Sequence, residues 1–420
     1  MARRNRQVEI VTGLDIGSTG IRIAVGQVVP DERLGADVQI IGTAQVASLG
    51  IEKGTITSIE EAVSSISHVL EEVERLVGVP IEHVWVGVSS NHIIANESRG
   101  VVAVAKTDGE ISYEDVDRVI EAAQTVAAPL NYEVLHVLPR GYVVDGQTGI
   151  KDPSGMTGVR LEVDAQMIYG STPHVKNITK AIYRTGVDID DLVLSLIATG
   201  DTVLTDRQKQ LGVGLVDIGG STTTLAVYEE GNIIHTAVIP IGSNHVTNDL
   251  ALGLQTDIDV AEKIKLLYGG CLVKGMTAKD CIDLAEFGLA SQAVPKKFVR
   301  EIIAARVVEI LEKINDELRS IDRLGLLPAG IVFTGGGAKL QDLVEVAKQV
   351  THMNAAHGLP MGIRSATESI NDLAFAAAIS LVAWGSSMNL RTRGTKSKVR
   401  VPGGKQAVDK VRQLFKFLVP

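Results

Sequence analysis

Asp15 opens a short turn, Asp15-Ile16-Gly17-Ser18-Thr19-Gly20, set between two apolar, β-rich runs in residues 8–28. Small residues at such a turn let backbone N–H groups and hydroxyls come close to a phosphate. Gly17, Ser18, Thr19 and Gly20 are therefore candidate phosphate-binding residues. A carboxylate repels phosphate, so Asp15 is better suited to hold Mg2+ through water, because that ion keeps several waters and takes few protein carboxylates. Alone, the turn also reads as an ordinary polar hairpin. It returns 202 residues later (217 − 15) as Asp217-Ile218-Gly219-Gly220-Ser221-Thr222, again between β-like runs. The repeat makes Asp217 a second metal-side carboxylate and Gly219, Gly220, Ser221 and Thr222 a second phosphate loop. Two like-built lobes, each with such a hairpin at its inner edge, would enclose one cleft.

Two further groups fit the same cleft. Thr334-Gly335-Gly336-Gly337-Ala338 follows the apolar run IVF and precedes a helix expected from Leu340. Gly335, Gly336 and Gly337 would let a flat ring or a ribose lie against backbone near helix N–H groups. Glu262 and Lys265 are three apart on an expected helix. They would offer an acceptor to ribose hydroxyls and an aliphatic stem to a base, or else form a solvated ion pair. No GxxxxGK[ST] occurs and the first strand does not lead into GxGxxG, so neither a Walker A loop nor a Rossmann site is expected. Asn244, Asp249 or Asp217 are candidates to position a water; no general base stands out.

The chain that must position these residues has 420 of them, which favours two or more domains. Hydrophobic residues make up 45% and charged residues 22%, ordinary values for a globular protein. Cys271 and Cys281 have no ligand spacing around them and read as buried or incidental. The start reads as no signal peptide, and the apolar run at 373–384 falls short of the ~18–20 residues that span a bilayer. Residues 57–77 carry a helical apolar stripe with Thr57 or Ser58 as cap. A third strand is expected at 38–49, another at 83–89, a helix at 113–125 capped by Ser112 with Asp115, a turn-rich stretch at 145–158, a helix at 173–185 and a last apolar helix at 370–386. The expected division is a first lobe from 1–88 and 167–196, an inserted module at 89–166, a second lobe from 197–242 and 325–390 with a subdomain at 243–324, and a linker at 391–404.

Net charge is −9, but residues 391–420 carry nine Lys or Arg and one Asp, or +8, leaving the rest at −17. An acidic body argues against broad nucleic-acid contact. In 405–420 the apolar residues, among them Val408, Val411, Leu414, Phe415, Leu418 and Val419, recur at three- and four-residue steps, with cations such as Arg412 and Lys416 beside them. This is the pattern of a helix lying in a lipid interface; the other reading is a helix packed on the protein's own body.

The stretches GLDIGSTGIRIAVG, LVDIGGSTTTLAVYEEG and VFTGGGAKL resemble the phosphate-1, phosphate-2 and adenosine motifs of the actin–Hsp70–sugar-kinase superfamily. Together with VLPRGYVVDG, IGSNHVTNDLALGL and AEKIKLLYG, they make the chain similar to the FtsA family of bacterial actin-like division proteins over about residues 8–390. The resemblance implies an α/β, actin-like (ribonuclease H-like) two-lobed ATPase fold with an inserted small α/β subdomain and a C-terminal amphipathic helix. It implies ATP and Mg2+ as cofactors and self-assembly into filaments, with hydrolysis expected to be at most slow because Gly20 stands where the family often has Lys. It further implies partners in the C-terminal peptide of the tubulin-like protein FtsZ (through 243–324), membrane lipids and other division proteins. The expected place is the cytoplasmic face of the membrane at the division site, as a peripheral protein. Asp15 and Asp217 take the metal-side positions, Gly335–Gly337 the adenosine loop, and Glu262 and Lys265 the ribose and base side. The family often has Lys where this chain has Gly20; Arg22 lies two residues on, on the same strand face. A small-molecule kinase of the superfamily and a pilus-type actin-like adaptor are the alternatives.

Overall fold

Alternating apolar residues in β1 (Glu9–Ile16) and β2 (Gly20–Val29) build the first hairpin, with Asp15 opposite Arg22. The structure is a computed structural model that describes residues 9–29, 37–125, 128–273, 277 and 280–396. β3 (Asp37–Ala47) pairs antiparallel with β2. A two-residue hairpin follows, β4 (Ile51–Glu52) and β5 (Thr55–Ile56), turning at Lys53 (φ 51°) and Gly54 (φ 73°). Positive φ at both corner residues matches the right-handed twist of tight hairpins. The expected third strand ran to 49 and passed over this hairpin. In α1 (Ile59–Val77), Ser58 caps the first turn and Gly78 ends it in the left-handed region, while Ile66, Val69 and Val73 enter the core. β6 (His83–Val88) lies parallel to β1.

The inserted module follows: β7 (Ile93–Ala103), α2 (Tyr113–Gln124), β8 (Tyr132–Val144), β9 (Gln147–Ile150) and β10 (Arg160–Ser171). Its sheet has the order β7-β10-β8-β9. Val119, Ile120 and Ala123 of α2 meet Leu161, Val163 and Met167 of β10 in a core of its own. Ser112 and Asp115 form the expected capping box. The turn-rich stretch holds a strand, β9, and β10 runs to Ser171, past the expected boundary at 166.

The chain then gives α3 (Thr172–Tyr183), β11 (Asp188–Leu194), α4 (Ser195–Val203) and α5 (Asp206–Leu211). The second lobe begins with β12 (Val213–Ile218), β13 (Thr223–Glu229) and β14 (Asn232–Ile239), followed by α6 (Ser243–Leu254) and α7 (Ile258–Tyr268). β15 (Cys281–Asp283), β16 (Ala293–Pro295) and α8 (Lys296–Ser320) precede β17 (Ile331–Thr334), α9 (Leu343–Thr351), β18 (Ala355–His357), β19 (Arg364–Ser365) and α10 (Ala376–Lys396). The lobe sheets have the orders β11-β6-β1-β2-β3-β19 and β14-β13-β12-β17-β18. The likeness is topological: β1–β3 form an antiparallel meander with β6 parallel on β1, and β12–β14 form another with β17 parallel on β12.

Three expectations are corrected. The helix after the triple glycine starts at Leu343, because Gly336–Lys339 first make a 3-10 turn. β19 and α10, within the 325–390 stretch expected in the second lobe, join the first lobe instead, while Leu373 between them stays in the second-lobe core. β19 pairs with β3, and Ala378, Ile379, Leu381, Val382 and Trp384 of α10 enter the core beneath β1, β2 and β6. α10 is apolar over most of its circumference, and the first-lobe sheet supplies the apolar face that buries it. α10 also continues to Lys396, where a linker was expected from 391. The amphipathic stretch 405–420, with Val408, Val411, Arg412, Leu414, Phe415, Lys416, Leu418 and Val419, lies outside the described residues. Cys271 is buried, but Cys281 is exposed. Among the described residues no helix is long and apolar enough to cross a membrane.

Candidate functional site

Both repeated turns open into one cleft of about 500 Å³ between the lobes. Asp15, Gly17, Ser18 and Thr19 line it from one side, and Asp217, Gly219, Gly220, Ser221 and Thr222 from the other. Gly335, Gly336 and Gly337 form part of its wall, as do Glu262 and Lys265. Gly20 does not line the cleft: it opens β2, pairs with Ala47 and is buried. Arg22 reaches the cleft instead, its Nε donating to Gln45 Oε1 at 3.0 Å. The signal for Arg22 was the period-two alternation of β2, which puts residues 20 and 22 on one face.

The two turns are braced differently. In the first, the Gly54 N–H donates to Ser18 Oγ at 2.8 Å, so the β4–β5 hairpin holds the serine from behind. The hydroxyl accepts here and keeps its proton for a ligand. That hairpin is held in turn by Thr55 Oγ1, 2.7 Å from His92 Nε2, and His92 stacks on His174 with ring centroids 3.4 Å apart. The two histidines flank the strands by which the chain passes into and out of the module. Burial holds both imidazoles below their ordinary pKa, with the neighbouring ring adding to the effect at His92. In the second turn, the N–H groups of Ser243 and Asn244 donate to Gly219 O (2.9 Å) and Gly220 O (2.7 Å). The first turn of α6 thus spends donors that have no partner within the helix on the carbonyl side of the loop.

The carboxylates feel one another. Burial raises the pKa of Asp15, opposed by the charge of Arg22 and a hydrogen bond from Ser195. Burial and then the charge of Asp15 push Asp217 up to about 7, with Arg22 opposing. Two carboxylates that resist ionising together gain from a cation placed between them. Gly335 has a φ of 87°, and a Cβ there would collide with Asp217 Oδ1. Only glycine satisfies both the backbone angle and that approach.

Glu262 and Lys265 are not a solvated pair. Lys265 is 6% exposed, with its Nζ 2.6 Å from Glu262 Oε2 and 2.9 Å from Thr247 Oγ1. Thr247 Oγ1 in turn donates to Glu262 Oε2 at 2.5 Å. The ammonium is thus tied within the wall, and the lysine stem and Glu262 face the cleft. Asn244 lines the cleft, but Asp249 does not: Arg306 holds both of its oxygens, at 2.6 and 2.9 Å. Sequence reading missed Ser89, whose Oγ lies 2.9 Å from Thr224 Oγ1 across the lobes, and the apolar Leu266 and Leu340 in the wall. A lone serine or leucine in an apolar run carries no local mark of such a position.

Comparison with known proteins agrees with this architecture. The family model for cell division protein FtsA matches residues 214–380, and that for the SHS2 domain inserted in FtsA matches residues 90–169. The chain is 36% identical over 378 residues to cell division protein FtsA of Pseudomonas aeruginosa, covering 90% of this chain and 89% of the relative. Against its Bacillus subtilis counterpart it is 35% identical, covering 94% and 87%. Among solved structures, the PilM-PilN type IV pilus biogenesis complex aligns with a TM-score of 0.65 at 15% identity, over 89% of this chain and 98% of that one. MreB 5 of Spiroplasma citri bound to AMPPNP aligns at 0.54 and 12% identity, over 92% and 99%. The fold is that of the actin-like proteins, with the SHS2 module inserted in its first lobe, and the chain belongs to the FtsA family of cell division proteins.

Proposed function

We propose that the interlobe cleft binds ATP with Mg2+, and that the protein uses this state to control its assembly into actin-like filaments that tether FtsZ to the membrane. The carrying observation is the convergence of four separated segments, the Asp15–Arg22 hairpin and the stretches around Asp217, Glu262/Lys265 and Gly335, on one cleft. The two small-residue turns suit a phosphate chain, with Arg22 as the cation that Gly20 cannot supply. Asp15 and Asp217 suit Mg2+, which needs few protein carboxylates when phosphates supply the rest. Bound there, the ion would neutralise phosphate charge; the residues themselves would orient the nucleotide and close it off from solvent. The triple-glycine loop and the Glu262–Lys265 wall suit ribose and base. Several named relatives are cell division proteins, and the S. citri MreB 5 structure carries a nucleotide analogue.

The 243–324 subdomain would take the FtsZ C-terminal peptide, and 405–420 would lie in the lipid interface with its cations toward anionic headgroups, each worth about 1 kcal/mol. One short helix anchors weakly, but filament formation multiplies anchors and raises avidity without new contacts. Titrating labelled ATP into the purified chain in magnesium buffer should give saturable, magnesium-dependent binding; no uptake would overturn the reading. Deleting 405–420 should abolish co-sedimentation with anionic liposomes and leave nucleotide affinity unchanged. Unaltered co-sedimentation of the truncated chain would remove the lipid role from that segment.

A further inference from the structure

Asp15 and Asp217 hold equivalent places in the two turns, yet among the described residues only Asp15 accepts a hydrogen bond from a neighbouring hydroxyl. Ser195, the first residue of α4, is 1% exposed, and its Oγ donates to Asp15 Oδ1 at 3.3 Å. Three elements build this contact. β1 carries Asp15, β6 lies beside it with Gly87 opposite Asp15, and β11 lies on the far side of β6 with Leu194 opposite Val88. The residue after Leu194 therefore emerges next to the carboxylate. Gly87 leaves the room: a Cβ there would stand 2.5 Å from Ser195 Oγ and 3.3 Å from Asp15 Oδ1. In the second lobe the matching position opposite Asp217 is Thr334, and the chain after it turns into the triple glycine.

We infer that Ser195 is a positioning residue that clamps one oxygen of Asp15 and so presents the other to the water shell of the cleft's metal ion. The inference rests on the metal reading given under Proposed function. Mg2+ demands near-ideal octahedral geometry, so a carboxylate reaching it through water must be held at a fixed angle. Groups that orient a metal-side ligand are worth 10–100-fold in metal affinity. Asp15 sits on a strand whose rotamers the sheet only partly restricts, and the serine removes that freedom through a buried contact. Asp217 is instead wedged by the close approach of Gly335.

The full chain is titrated with ATP in magnesium and in EDTA, as wild type, Ser195→Ala, Asp15→Asn and the double variant. Ser195→Ala should lose about tenfold in the magnesium-dependent part of the affinity. Its affinity and melting temperature in EDTA should stay those of wild type, and it should have no further effect in the Asp15→Asn background. Three results overturn the assignment: Ser195→Ala equal to wild type in both buffers, an equal loss in both, or additivity with Asp15→Asn. If wild type itself gains nothing from magnesium, both readings fall, and the fault lies with the metal reading of the cleft.

Discussion

The first and second turns share a backbone plan and differ in what stands behind them. The first is braced by a hairpin that donates to the Ser18 hydroxyl and by Ser195 against Asp15. The second is braced through its carbonyls by α6, and its aspartate is crowded by Gly335 and, among the described residues, takes no hydrogen bond from a hydroxyl. The difference is electrostatic as well as mechanical: Asp217 is pushed up to about 7. A repeated motif thus fixes the path of the chain without fixing the chemistry of its side chains, because burial and neighbours come from elsewhere in the fold.

The sharpest way to break this contrast is Asp217→Ala. It should cut magnesium-dependent ATP affinity by roughly 30-fold, on the order of 2 kcal/mol for a charge-assisted contact, without unfolding the protein. Isothermal titration checks this, and unchanged affinity would take Asp217 out of the metal-side role.

Next in size is a pH effect on the metal-free protein. Asp217 has a folded pKa raised above its unfolded value, so between about pH 4 and about pH 7 the folded state binds more protons than the unfolded state. Stability in EDTA should therefore fall as pH rises through that window and level off above it, by a few degrees in melting temperature. Asp217→Asn should flatten the slope; a slope that survives the substitution would assign it to other groups.

The smallest effect is expected from Ser18→Ala. It removes the acceptor of the Gly54 N–H and should loosen the first turn alone, lowering ATP affinity about fivefold, or ~1 kcal/mol. Amide exchange should rise at 51–56 and not at 243–247; a rise in both would show that the two turns share one brace.

Much of this was legible in the sequence. Asp15, Asp217, the triple glycine and the Glu262–Lys265 spacing all come to one cleft, and the caps at Ser58 and Ser112 hold, because each is a local pattern with a local cause. What escaped was set by distant partners. Gly20 faces into the sheet because β3 pairs there. Asp249 is taken by Arg306, 57 residues away. The β4–β5 hairpin is too short to show a period, and the return of α10 to the first lobe depends on which apolar sheet face is left to cover. The inserted module was found by its strands and helix, but the central position of β10 is a fact of pairing that no single segment displays.

α10 begins beside the cleft, where Ala374 and Ala377 line the wall, and runs along the first-lobe sheet until Asn389 Nδ2 meets Glu9 Oε1 at 3.0 Å. α10 therefore shares a frame of reference with Asp15 and not with Asp217. If the trailing segment is held to a surface, the first lobe becomes the fixed jaw of the vice, and opening or shutting is read out as displacement of the second.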